Sequence, residues 1–249
     1  MGNPVVSHVP TGVKGVDALL DGKGIPKGYS ILVLGSPGSG KTTFGLQYLM
    51  NGAENGEKGV YVSMDEQPEM LLANAQTLGL GVKELVDAGR IAIIDASPIR
   101  VLPARLKLGV TEGGRREFAL ATLVTSITEA VEKTKASRIV IDPVSTLTIH
   151  FQDEYERRVA FLDLLAAIAK TKCTTLLLAE MAEASNERRY HFEEFIAHGV
   201  MVLTRSKMDS AYVRVFNVEK MRGINHDTQP HPYTIAKGGI QVFPEEQVL

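Results

Sequence analysis

At 249 residues, with 44% hydrophobic and 22% charged residues, the chain is long enough to bury a large α/β core. Its formal net charge of −2 supplies no global basic field, so nucleic-acid binding would have to come from a local patch. A single cysteine, Cys173, excludes a disulfide framework, no run approaches the roughly 18 apolar residues of a membrane-spanning helix, and Met1-Gly2-Asn3-Pro4 lacks a secretory pattern, so a cytoplasmic protein with no membrane association is expected.

Residues 1–10 carry Pro4 and Pro10 without a hydrophobic period and read as a tail or an edge segment. Thr11 to Leu20 reads as a short helix with Val16, Leu19 and Leu20 on one face, and Ile25-Pro26-Lys27-Gly28 leads into the strand Ile31-Leu32-Val33-Leu34. Phe44 to Met50 is helical, Gly59 to Met64 is a strand, and Pro68 opens a helix over Glu69 to Leu78. Ile91 to Asp95 is a third buried run. The stretch from Ala96 to Gly114 has no clear period and is long for a compact domain, which points to a functional or mobile loop. Glu117 to Lys133 has apolar residues at helical spacing, Ile139 to Asp142 is a strand, Val159 to Lys170 is a strongly apolar helix, and Cys173 to Ala179 is an all-apolar strand. Strands that are hydrophobic on both faces and alternate with helices imply a parallel sheet covered on each side. From Gly199 the rhythm changes, because Val200–Leu203, Tyr212–Val218 and His231–Val242 follow one another with no helix between them. The expected fold is α/β: a mostly parallel central sheet flanked by helices, with C-terminal antiparallel strands, in one domain over residues 1–249.

Between the first core strand and its helix, Gly35-Ser36-Pro37-Gly38-Ser39-Gly40-Lys41-Thr42-Thr43 fills every position of G-x-x-x-x-G-K-[ST]. Glycines let several N–H groups turn toward one anion, and the helix N-terminus adds partial positive charge. Ser36, Pro37, Gly38, Ser39, Gly40, Lys41, Thr42 and Thr43 are therefore candidate nucleotide-binding residues, with Lys41 reaching the β/γ-phosphates and Thr42 ligating Mg²⁺. A Gly/Ser-rich turn that binds nothing is the bland alternative, and the flanking strand and helix weigh against it. Asp142, ending a buried strand downstream, is the candidate Walker B carboxylate for Mg²⁺, with a helix N-cap before Val144-Ser145-Thr146 as its alternative. Asp65 and Glu66 follow the strand Tyr61–Met64, expected beside the loop strand, where side chains point into the ligand crevice. Two acids before a helix are equally ordinary dipole compensation, and spacing alone leaves both readings open.

Thr11-Gly12 with Val16-Asp17-Ala18-Leu19-Leu20, the phosphate loop, Tyr61 to Glu69, Ile139 to Asp142, and Lys220-Met221-Arg222-Gly223 with His226 together resemble the KaiC-like branch of the RecA/RadA ATPase superfamily. The resemblance runs from about residue 11 to about residue 243, as a single KaiC-type domain with a RecA-like P-loop fold. It implies ATP and Mg²⁺ as cofactors, and Glu66, assisted by Asp65, as the group that polarises the attacking water. Asp65 departs from the clock proteins, which carry Glu there. Glu180 falls at the sensor position, where recombinases commonly have Gln; an ionised carboxylate cannot donate a hydrogen bond, so its contact would run through water or a cation. The resemblance further implies that Lys220 and Arg222 cross a subunit boundary to a neighbour's γ-phosphate, in a homo-oligomer that the family builds as a hexamer. Alternation along the preceding strand puts Lys220 and Arg222 on one face and Met221 on the other.

Positions resembling the DNA-binding loops of recombinases are His150 to Arg158 and Met181 to Phe195. The second holds Arg188-Arg189-Tyr190-His191, but also Glu183, Glu187, Glu193 and Glu194, so it is no electrostatic funnel, and Arg115-Arg116 is too small a patch to change this. His226 and His231 lack the neighbours of a metal site. Three readings follow: a slow ring-forming ATPase whose nucleotide state switches an unknown protein partner, a recombinase paralogue binding single-stranded DNA, and a low-turnover ATP-binding scaffold. The acid pair Asp65-Glu66 weighs against the last. Autokinase activity stays open.

Overall fold

The computed structural model describes residues 7–97, 112–148, 151, 153–181, 191–208 and 211–248. The strands, in chain order, are β1 (His8–Val9), β2 (Ile25–Pro26), β3 (Ser30–Gly35), β4 (Gly59–Ser63), β5 (Ile91–Asp95), β6 (Arg138–Asp142), β7 (Thr174–Glu180), β8 (Gly199–Met208), β9 (Ala211–Met221), β10 (His231–Ala236) and β11 (Gly239–Val242). The helices are α1 (Lys41–Glu54), α2 (Pro68–Thr77), α3 (Val82–Asp87), α4 (Glu112–Thr134), α5 (Ser145–Thr148), α6 (Glu154–Thr171) and α7 (Phe192–Ile196). Apart from the small β1-β2 ribbon, the strands form one sheet in the order β11-β10-β9-β8-β3-β7-β6-β4-β5.

The run from β8 to β5 is parallel throughout, while β9, β10 and β11 are antiparallel to their neighbours. This is the mostly parallel, helix-flanked sheet with antiparallel C-terminal strands that the sequence implies. Alternation along each strand feeds two cores. Ile31, Val33, Tyr61 and Val140 pack on the α1 side with Phe44, Tyr48 and Leu49. Leu32, Leu34, Val62 and Ile141 pack on the other side with Leu123 and Ile127 of α4 and Phe161, Leu164 and Ile168 of α6.

Several expectations need correction. Strand β4 does not lie beside the loop strand: β7 and β6 stand between β3 and β4. Hydrophobic runs reveal which strands are buried but not their order, and the crevice survives because all four are parallel and end on one side. The helix expected over Thr11–Leu20 is only a 3-10 turn, Asp17–Leu20, because Gly12 (φ 73°) and Gly15 (φ 88°) sit in the left-handed region. The span His231–Val242 is a hairpin rather than one strand, turned through Lys237 and Gly238 (φ 96°) between the paired Ala236 and Gly239. Helix α6 begins at Glu154, ahead of its apolar run, because Asp153 caps it by accepting the Glu156 N–H at 2.7 Å. Most of the period-free stretch after Ala96 lies outside the described residues. No helix among the described residues is long and apolar enough to cross a membrane.

At the base of the sheet, opposite the strand ends that carry Asp142 and Gly35, Arg138 is 2% exposed. Its Nε donates to Glu57 Oε2 at 2.5 Å, one terminal nitrogen donates to Pro10 O at 3.0 Å and Tyr48 O at 2.8 Å, and the guanidinium lies 4.6 Å from the Tyr48 ring centroid. A side chain at Gly52 would occupy the same space, since a Cβ there falls 2.5 Å from Arg138 Nε. Arg138→Met is expected to cost about 3 kcal/mol in chemical denaturation, because it strands a carboxylate and two buried carbonyls. Nucleotide affinity, seated at the other end of β6, should be unchanged by calorimetry.

Candidate nucleotide site

The loop between β3 and α1 is shaped by what its glycines exclude. A Cβ on Gly35 would lie 2.4 Å from Ser39 Oγ and 2.7 Å from Leu203 O, and Gly40 combines φ 96° with a 2.7 Å approach to Ile235 Cδ1. Gly40 is also the residue preceding α1, and no side chain caps that helix. The hydroxyls of Ser36 and Ser39 are buried without a partner, and Tyr233 OH donates to Ser39 O at 2.6 Å, fixing the loop from β10. Buried donors without acceptors around an uncapped helix start fit an anion of phosphate type.

Lys41 Nζ donates to Gly35 O at 2.7 Å and Ser36 O at 3.1 Å. Burial lowers its pKa, with Asp142 and Glu180 pulling it back up. Thr42 Oγ1 donates to Asp142 Oδ2 at 2.6 Å, and Tyr61 OH donates to the same oxygen at 2.5 Å. Burial raises the Asp142 pKa, and the two hydroxyls and Lys41 work against that. A threonine hydroxyl that gives its proton to a carboxylate keeps its lone pairs for a cation, so Thr42 and Asp142 suit Mg²⁺. The N-cap alternative for Asp142 is not what the chain adopts: the Val144 N–H goes to Leu178 O and the Thr146 N–H to Pro143 O.

Asp65 and Glu66 lie past the end of β4. Thr146 Oγ1 donates to Asp65 Oδ1 at 2.8 Å, while Glu66 accepts from Asn74 Nδ2 at 2.6 Å and takes the Ser63 hydroxyl on its backbone carbonyl. Asp65 is near enough to Asp142 to push its pKa upward. Helix α2 starts at Pro68 after Gln67 and carries Glu69 as the acid of its first turn. Glu180, exposed at the end of β7, is in register with Gly35. The parallel sheet thus gathers Ser36 to Thr43, Asp65, Glu66, Asp142 and Glu180 at one edge.

Lys220 and Arg222 are not brought there. Lys220 Nζ donates to Glu194 O (2.8 Å), Phe195 O (3.1 Å) and Ala197 O (2.7 Å), and Arg222 donates to Phe195 O at 3.1 Å, so both cations sit at the carbonyl end of α7. They share a side, as alternation implies, while Met221 is buried in the α1-side core. Met221 pairs with Gly199 and Gly199 with Ile31, at the far end of β3 from Gly35. The cations therefore lie about 13 Å down the sheet from the phosphate loop, measured by strand rise, and two strands to the side. They line a cleft of 640 Å³ with Glu194, Val200, Asn217 and Phe195, whose ring is 64% exposed.

Sequence reading missed Tyr61, Thr146, Asn74 and Tyr233, whose roles appear only through partners distant in the chain. Arg188, Arg189 and part of His150–Arg158 lie outside the described residues. His231 is buried with Nδ1 against Glu246 O at 2.6 Å, and among the described residues no group of His, Cys, Asp and Glu is arranged to hold a metal ion by itself.

Residues 9–247 match the family described as "ATPase: KaiC". Circadian clock protein KaiC3 of Synechocystis is 33% identical over 241 residues, covering 96% of this chain and 46% of that protein. The chain thus spans a little under half the length of the clock proteins it matches. A UPF0273 protein of Aeropyrum pernix is 31% identical, covering 98% of this chain and 96% of that one. The crystal structure of a KaiC-like protein from Pyrococcus horikoshii superposes with a TM-score of 0.80 at 31% identity, covering 96% of this chain and all of that one. With the phosphate loop, the Thr42–Asp142 pair and the strand-end carboxylates in place, the chain belongs to the KaiC-like P-loop ATPases, homologous to cyanobacterial KaiC and to the archaeal KaiC-like and UPF0273 proteins.

Proposed function

We propose that this protein is a Mg²⁺-dependent ATPase that works as a head-to-tail ring, a homohexamer by analogy with its family, and that its nucleotide state switches a protein partner. One domain spanning residues 1–249 carries both halves of the composite site. The observation that carries this reading is the separation of Lys220 and Arg222 from their own phosphate loop. Cations at the opposite edge of the sheet cannot serve the loop of their own chain, but they can serve that of a copy stacked against that edge. The exposed Phe195 beside them supplies apolar area for such a contact.

Within each interface the roles divide by position. The N–H groups of Ser36 to Thr43 bind the phosphates, Lys41 exchanges its loop carbonyls for phosphate oxygens, and Mg²⁺ held at Thr42 and Asp142 would neutralise the phosphate charge. Glu66, oriented by Asn74, accepts hydrogen-bonded water in line with the γ-phosphorus; Asp65, fixed by Thr146, supports it. Arg222 and Lys220 of the adjoining copy stabilise charge growing on the equatorial and leaving oxygens. Glu180 contacts the terminal phosphate through water or the Lys41 ammonium.

Lys41→Ala should abolish ATP binding in calorimetry while leaving the circular dichroism spectrum intact; retained affinity would remove the loop assignment. Glu66→Gln should bind ATP normally and lose roughly 10² or more in turnover, and an unchanged rate would transfer the role to Asp65. Arg222→Ala should also bind and not hydrolyse. Mixing the last two variants should restore part of the activity, because some interfaces then pair a sound Glu66 with a sound Arg222. Light scattering with ATP should report a hexamer that Phe195→Asp disperses. Absence of recovery despite demonstrated subunit exchange would place the cations outside the neighbour's reaction.

A further inference from the structure

Among the described residues three buried tyrosines need acceptors for their hydroxyls, and two use backbone carbonyls: Tyr48 donates to Thr174 O at 3.0 Å and Tyr233 to Ser39 O at 2.6 Å. Tyr61 differs. Its hydroxyl donates to the Asp142 carboxylate, on the oxygen that Thr42 Oγ1 also bonds. Register explains the reach: Tyr61 pairs with Val140 and Ser63 with Asp142, so the phenol must extend two residues, about 7 Å, along the neighbouring strand. A phenylalanine in the same rotamer would stop one atom short. The side chain is fully buried on the α1 face of the sheet, which leaves it no other route.

We infer that Tyr61 is a positioning residue for the Mg²⁺ site. It acts through Asp142 and does not touch the metal or the nucleotide, and the inference rests on Asp142 being the carboxylate that serves the metal. A carboxylate bonded once can turn about its terminal torsion, whereas two hydroxyls converging on Oδ2 from different elements, α1 and β4, fix its plane. Among the described residues every hydrogen bond to the Asp142 side chain goes to Oδ2, which leaves Oδ1 available to a cation or to water bound to one. Thr42 is fixed by the same contact, since its proton is committed to Asp142 while its oxygen can still donate a lone pair to a cation. The chain thereby sets ligand orientation before any cation arrives, and Mg²⁺, which demands near-octahedral geometry, gains most from that.

Tyr61→Phe isolates the hydroxyl, since the ring and its packing remain. The probe is Mn²⁺ titrated into protein loaded with a non-hydrolysable ATP analogue, with free metal followed by electron paramagnetic resonance. The variant should bind Mn²⁺ about tenfold more weakly, keep the parent's analogue affinity in EDTA, and need correspondingly more Mg²⁺ for half-maximal hydrolysis. Placed on Asp142→Asn, the same change should weaken metal binding no further, because its effect passes through the carboxylate. Unaltered Mn²⁺ affinity in a folded Tyr61→Phe would overturn the inference and leave the hydroxyl a satisfied core donor. Unaltered affinity in Asp142→Asn alone would instead remove the metal assignment beneath it.

Discussion

The half-buried carboxylate of Asp142 is the constraint on which the site depends. Taking a charge out of water at the end of β6 is unfavourable unless hydrogen bonds replace the lost hydration, and here the replacements come from Thr42 at the start of α1 and Tyr61 in β4. Those two bonds tie the phosphate-loop helix to the sheet, and the strand carrying Asp65 and Glu66 to both. The parallel arrangement makes this possible, because only strands running the same way deliver their terminal residues to one edge.

At the other edge a different compensation operates. Lys220 and Arg222 are held by carbonyls at the C-terminal end of α7, so two like charges share one short helix end. Beside them His198 accepts the Ser30 N–H on Nδ1 and stacks on Tyr29 at 4.6 Å, and burial together with Arg222 and Lys220 lowers its pKa. A neutral imidazole spares the cluster a third positive charge. The chain thus carries strand-end carboxylates beside the phosphate loop at one edge, and Lys220 and Arg222 beside an exposed Phe195 in a cleft shared with Glu194 and Glu219 at the other.

The phosphate loop was legible because its signal is local: glycines required by left-handed dihedrals and by contacts too close for a Cβ, next to a lysine and a threonine at fixed spacing. The alternation of buried strands and amphipathic helices was legible for the same reason. Strand order was not, since Ile91–Asp95, Gly59–Met64 and Ile139–Asp142 are interchangeable as apolar runs, and nothing in them announces the two strands that stand between β3 and β4. Short α3 and α7 carry too few residues for a period to stand out. Asn74 and Thr146, which hold the two acids, sit on other elements and have no pattern that announces them.

Strand order also bears on synthesis. Strand β3, which carries the phosphate loop, bonds on one side to β7 from Ser30↔Thr175 and on the other to β8 from Ile31↔Gly199. Both backbone edges of the central strand therefore stay open until residues beyond 174 have left the ribosome, even though α1, which covers Ile31 and Val33, follows it directly in the chain. A nascent fragment that ends before residue 174 contains the whole motif yet lacks both strands that pair with the strand carrying it, as well as Glu180.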